Sequence, residues 1–180
     1  HVDLARVGGR LERHPYIKGV VLRREFPDTL LVTVRERVPR LAIHTPQHDV
    51  VIDNEAIVMR VLQPEHDSTL VQLQLAQTRA MEPGMRLHYP EIQRALELLD
   101  IYEASPLAET MRPAVLTVQP SGASVWKFES HAFNIHFGEG RIETQLSRLP
   151  LVLRYITQLR VAVRSVDLSY RKRVIIPPAT

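Results

Sequence analysis

The stretch His14-Pro15-Tyr16-Ile17-Lys18-Gly19-Val20-Val21-Leu22-Arg23-Arg24-Glu25-Phe26-Pro27-Asp28-Thr29-Leu30-Leu31-Val32-Thr33-Val34-Arg35-Glu36-Arg37-Val38-Pro39 decides the reading of this 180-residue chain. Residues 17–26 read as one strand and 30–38 as a second, joined at Pro27-Asp28, a pair that favours a turn. Leu30, Val32 and Val34 face one way, while Thr33, Arg35 and Arg37 alternate to water. Upstream, Leu4, Val7 and Leu11 recur at helical spacing behind Asp3. That helix should stop at His14-Pro15, because the residue before a proline is pushed out of the α region. Gly8-Gly9 weakens it, so packing must hold it. Residues 1–40 therefore form a helix followed by a β-hairpin.

A second unit occupies residues 41–180. Val50-Val51-Ile52, the turn Asp53-Asn54-Glu55 and Ile57-Val58-Met59 read as a short hairpin. Residues 63–68 read as a loop, and Leu70, Val71, Leu73 and Leu75 as a strand or an extended segment. Pro90 opens the clearest helix, with Ile92, Ala95, Leu96, Leu99 and Tyr102 on one apolar stripe, Glu91 in the first turn and Pro106 beyond the end. Strands at 114–118, 124–128 and 133–137 follow. Gly138-Glu139-Gly140 then breaks to a long helix through Leu146, Leu149, Val152, Leu153, Ile156 and Leu159, which Pro150 should kink or split. Residues 163–170 and 174–176 are the last strand or strands. The order is that of an α+β fold: a truncated helix-plus-hairpin domain, then a mixed β-sheet domain with helices on one face and a C-terminal edge strand.

Composition excludes several classes. The chain is 44% hydrophobic, 24% charged and free of Cys, so disorder, a collagen repeat and a disulfide scaffold do not apply. No apolar run is long enough to span a membrane. Because the chain starts at His1, it reads as an excised piece with any anchor upstream. The net charge of +3 conceals a division into +4 for residues 1–40, −7 for 41–139 and +6 for 140–180. Of the 23 basic residues only Lys18, Lys127 and Lys172 are Lys. Two Arg-rich ends around an acidic middle suit an acidic partner, or each other.

Sites for chemistry are weak. His44 and His48 flank Pro46 in a strand-like context, and His131 and His136 fall on opposite faces of a strand region, so no metal site is expected. Ser121-Gly122 lacks a nucleophile elbow, and Gly138-Glu139-Gly140-Arg141 lacks the third Gly and the Lys of a phosphate loop. No cofactor and no enzymatic activity are expected. Nucleic acid is disfavoured as well, because Tyr16, Trp126, Phe128, Phe133 and Phe137 sit in apolar patterns and read as core.

The stretch from His14 to Pro39 resembles the end of a POTRA domain, where a helix stops near a Pro and the following strand ends in a Val-x-Glu-Arg-x-Pro pattern. Downstream motifs resemble the FtsQ/DivIB family of bacterial cell-division proteins in the right order. These are Val50-Val51-Ile52-Asp53, with Ala56 where the family usually has Gly; the helix from Pro90 to Asp100; Phe137-Gly138 with the helix after it; and Val166-Asp167-Leu168-Ser169-Tyr170. The resemblance implies a non-enzymatic divisome scaffold, periplasmic and anchored by one upstream transmembrane helix, at the division septum. It implies binding of FtsB (DivIC in Gram-positives) and FtsL by addition of a partner strand to the C-terminal edge. Tyr170 is then the expected anchor, Arg171, Lys172 and Arg173 the partner-facing charges, and Val174, Ile175 and Ile176 the augmented strand. Arg141 and Arg148 on the preceding helix are lesser candidates. The POTRA-like part is open to a further divisome partner. The alternative is a POTRA-containing periplasmic module of an outer-membrane assembly or secretion protein.

Overall fold

The computed structural model describes residues 3–44, 49–62, 69–75, 80–159, 163–170 and 174–177. The expected loop at 63–68, His48, Arg171, Lys172 and Arg173 lie outside the described residues. Helix α1 (Leu4–Glu12) begins where Asp3 accepts the N–H groups of Ala5 and Arg6 at 3.0 and 3.2 Å, and it runs through Gly8-Gly9. Gly8 lies over Leu22 of the hairpin, where an added Cβ would stand 3.5 Å from Leu22 Cδ1, an ordinary packing distance. That hairpin is β1 (Ile17–Glu25) paired antiparallel with β2 (Thr29–Glu36), with Val20 opposite Val34 and Leu22 opposite Val32. One helix cannot cover the sheet face, and none of the described residues of this unit is buried. Two expectations are corrected here. Tyr16 is not core but 40% exposed, resting against His14. Arg37 does not point to water; its side chain is 13% exposed and lies on Asp53 and Glu55.

The second sheet has eight strands: β3 (Leu41–His44), β4 (Asp49–Ile52), β5 (Val58–Leu62), β6 (Gln72–Gln74), β7 (Pro113–Val118), β8 (Ser124–Phe128), β9 (Asn134–Phe137) and β10 (Ser165–Asp167). Their order across the sheet is β10-β9-β8-β7-β6-β3-β4-β5. The β6–β7 and β9–β10 pairs are parallel. Each therefore needs a crossover, and helices α2 (Pro90–Glu103) and α3 (Ile142–Leu159) supply them. The two helices touch each other and roof one face of the sheet. Strand β3 went unread because Leu41-Ala42-Ile43 is a short apolar run with no period. The final strand is also shorter than expected: only Ser165–Asp167 of residues 163–170 is continuous strand, and among the described residues Ile175 bridges to it.

Pro150 does not split α3. A proline inside a helix costs about 3 kcal/mol. Against it, Leu146, Leu149, Val152 and Ile156 are buried on the sheet side, each contributing about 1.5–3 kcal/mol, so burial outweighs the break. Under both helices lies an aromatic cluster: the Trp126 ring centroid is 5.3 Å from Tyr102, 6.0 Å from Phe128 and 5.7 Å from Phe137. The buried Tyr102 hydroxyl donates to the Met111 carbonyl at 2.8 Å, with the Leu107 carbonyl at 3.2 Å.

Burial pushes the Tyr102 phenol up to about 12. The folded state thus favours the neutral phenol, so this stabilisation is complete below the ordinary value of about 10 and is lost as pH rises toward about 12. Of the five tyrosines, one should ionise late in a 295 nm titration of the native protein. Tyr102→Phe should cost about 1–2 kcal/mol in urea unfolding followed by Trp126 fluorescence, because the buried Met111 carbonyl loses the phenol donor.

Candidate partner-binding edge

Beyond β10, the chain returns as a short extended segment. Ile175 donates its N–H to the Asp167 carbonyl at 3.2 Å and accepts the Asp167 N–H at 3.0 Å, while the Pro177 carbonyl accepts from Arg164 at 3.3 Å. In an antiparallel pair, successive residues direct their backbone groups to opposite sides. With Ile175 bonded inward, the N–H and C=O of Val174 and Ile176 face away from the sheet. Among the described residues none of these groups has a backbone partner. Among the described residues, 174–177 are therefore the outermost segment at this end of the sheet. Val174 and Ile176 pack their side chains on the core, and Ile175 stands 41% exposed.

The turn between β10 and this edge is held from α3. Arg148 Nη1 donates to the Tyr170 carbonyl at 2.7 Å and approaches the Leu168 carbonyl at 3.4 Å. Asp167 Oδ1 accepts both the N–H and the hydroxyl of Ser169. Behind the turn, the buried Gln145 side chain clasps the Gly138 backbone, accepting its N–H at 2.8 Å and donating to its carbonyl at 3.3 Å. Tyr170 is left 41% exposed. Of the residues singled out in the sequence, Arg148, Tyr170 and Ile175 come together here; Arg141, exposed at the start of α3, shares a shallow cleft with Arg148, Gly138 and Ser169. Gln145, Asp167 and Ser169 were missed as positioning residues. Asp167 and Ser169 were visible only as members of the motif at 166–170, and Gly138, read as a break before the helix, has no side chain and so admits Ser169.

Among the described residues no group of three or more His, Cys, Asp or Glu side chains could hold a metal ion, and no helix is long and apolar enough to cross a membrane.

A helix on an antiparallel hairpin, followed by a mixed sheet roofed by two helices and ending in a free edge, is a POTRA-like domain followed by a β domain. Residues 1–37 match the family model described as POTRA domain, FtsQ-type. The chain is 22% identical over 175 residues to the cell division protein FtsQ of Syntrophotalea carbinolica, covering 97% of this chain and 62% of that protein. It is 27% identical over 173 residues to FtsQ of Anaeromyxobacter sp., covering 96% and 58% respectively. It is 23% identical over 141 residues to FtsQ of Novosphingobium aromaticivorans, covering 78% and 37%. The chain spans about three fifths of the length of the first two of these relatives. Together the matches support an FtsQ/DivIB-type region.

A Cβ added to Gly138 would stand 2.8 Å from Ser169 Cβ and 3.1 Å from its Cα. Gly138→Ala should cost about 1–3 kcal/mol in urea unfolding and shift the amide resonances of 167–170, as the overpacked turn is pushed outward. At Gly140 the nearest atom to an added Cβ is Gln145 Nε2 at 3.5 Å, so Gly140→Ala should leave those resonances in place.

Proposed function

We propose that this chain is the extracytoplasmic part of a non-enzymatic FtsQ-type division scaffold, working at the septum and captured by its partners at the C-terminal edge. In this reading residues 1–40 are the C-terminal part of a POTRA domain and 41–180 the FtsQ-type β domain. An upstream helix anchors the protein in the inner membrane. A strand from FtsB (DivIC), held alongside FtsL, adds next to Val174, Ile175 and Ile176, its backbone bonding the outward N–H and C=O groups of Val174 and Ile176. Tyr170 is the aromatic anchor, and Arg171, Lys172 and Arg173 attract acidic residues of the partner; Arg141 and Arg148 flank the contact from α3.

The observation that carries this reading is the outward backbone of Val174 and Ile176, which has no backbone partner among the described residues, combined with similarity to FtsQ over nearly the whole chain. Exposed edges invite pairing, and charge along an edge discourages self-association while favouring a partner of opposite sign. A module of an outer-membrane assembly or secretion protein is the weaker reading, because the matched POTRA model is the FtsQ type and the similarity to FtsQ continues far past it.

Titrating the protein with the extracytoplasmic segments of FtsB and FtsL from the same genome should give a complex at micromolar concentration or tighter; absence of binding there removes the divisome reading. Val174→Pro deletes one outward donor without touching the Ile175 bonds, and it should weaken the complex at least about tenfold, or 1.4 kcal/mol. Tyr170→Ala combined with Arg171→Glu and Arg173→Glu should cost a few kcal/mol. Unchanged affinity would take those side chains out of the contact.

A further inference from the structure

The N-terminal unit and the eight-stranded sheet share no strand, and the chain crosses between them over only two residues. Arg37 donates its backbone N–H to the Tyr16 carbonyl within the first unit, and Arg40 donates its own to the Ile52 carbonyl within the second. Val38 and Pro39 lie between. Proline fixes its own φ and restricts its predecessor, so this link is short and stiff, but one or two dihedrals still suffice to swing one unit against the other. Apolar burial does not prevent this, because none of the described residues of the N-terminal unit is buried.

What crosses the link is charge. Arg37 Nη1 lies 2.5 Å from Asp53 Oδ2 and 2.9 Å from Glu55 Oε2. Lys18, on β1, reaches the other Glu55 oxygen at 3.1 Å, and Arg86 stands 3.7 Å from Glu55 on the sheet side. Asp53 cannot yield: it is 1% exposed, and its second oxygen accepts the N–H groups of Glu55 and Ile57, building the β4–β5 turn around itself. On the far side of Pro39, Arg40 binds Asp100 and Glu103 of α2. We propose that Lys18 and Arg37, gripping the Asp53-Asn54-Glu55 turn, form a charge-locked joint that fixes the orientation of the N-terminal unit on the sheet.

The geometry favours a lock over a tether. A single ion pair would limit separation and leave rotation free. Here the contacts start from two strands, β1 through Lys18 and the end of β2 through Arg37, and converge on one rigid turn. Exposed ion pairs are weak, but Asp53 is buried and Arg37 nearly so, and removing one member of such a pair strands the other. Glu55, 35% exposed, remains open to screening by salt.

The chain has no Cys, so nitroxide labels can be placed at Asp28→Cys and Ser121→Cys, exposed turns of the two units, and the distance distribution measured by pulsed electron resonance. The native pair of residues should give one narrow distribution at low salt that broadens in 1 M NaCl. Glu55→Gln and Lys18→Met, which alter only partly exposed groups, should each at least double the width at low salt while leaving the Trp126 fluorescence unfolding midpoint of the sheet domain near its original value. Arg37→Gln should act more strongly if it folds, and Glu55→Gln with Lys18→Met carries the test if it does not. A broad distribution before any substitution, or the original narrow width in Glu55→Gln and Lys18→Met together, would overturn the joint.

Discussion

One cluster governs the sheet domain: the Trp126 indole enclosed by Tyr102, Phe128 and Phe137. Trp126 and Phe128 are two residues apart on β8, so they share a face and fix which side of that strand looks inward. A one-residue slip would turn both to solvent. The register then propagates: Leu116 stands opposite Trp126 on one side and Ile135 on the other, and all three are fully buried. Tyr102 closes the cluster from α2, and its hydroxyl ties the end of that helix to the chain leading into β7. With α2 set, α3 packs beside it and delivers the chain to β10 in parallel with β9. The free edge is where it is because this crossover ends there.

The parts of the fold legible in the sequence are those with a period or a punctuation mark. Helix α2 was readable from Pro90 and its apolar stripe, α1 from Asp3, and the first hairpin from alternation around Pro27-Asp28. The turn at Asp53-Asn54-Glu55 was readable as well, and the departure at Ala56 has a backbone meaning: its φ of 59° lies in the left-handed region, where glycine sits without strain. What was not legible depends on tertiary contact. Strand β3 has no alternation because both of its faces are buried. Pro150 is a helix breaker that four buried neighbours overrule. Tyr16 carries an apolar pattern but belongs to a unit with too few elements to bury it.

The candidate edge was only half legible. Residues 174–176 could be recognised as extended, but the direction of their backbone groups follows from the bond between Ile175 and Asp167, a register no local pattern encodes. The positioning residues were hidden for the same reason. Gln145 lies on a helix, Ser169 in a turn and Gly138 at a strand end; their meeting is a product of the β9–α3–β10 crossover.

The division of charge along the chain acquires a physical sense once the contacts are known. Basic ends around an acidic middle allow internal pairing or an external acidic ligand, and the described contacts of the two ends differ. From the N-terminal end, Lys18, Arg37 and Arg40 pair with Asp53, Glu55, Asp100 and Glu103 of the middle. Lys18 and Arg37 thereby join the two units, while Arg40 ties the start of the sheet domain to α2. At the C-terminal end, Arg148 donates to backbone carbonyls, and among the described residues no carboxylate lies within ion-pair distance of Arg141, Arg154 or Arg164. Mutual repulsion of such a surface has to be offset by solvent, salt or a partner, and in the proposed function an acidic partner strand offsets it while bonding the outward backbone of Val174 and Ile176. Within the +6 segment the described residues thus combine arginines with no carboxylate beside them, Arg141, Arg154 and Arg164, with outward-facing backbone at Val174 and Ile176, and the proposed recruitment of an acidic, extended segment rests on that combination.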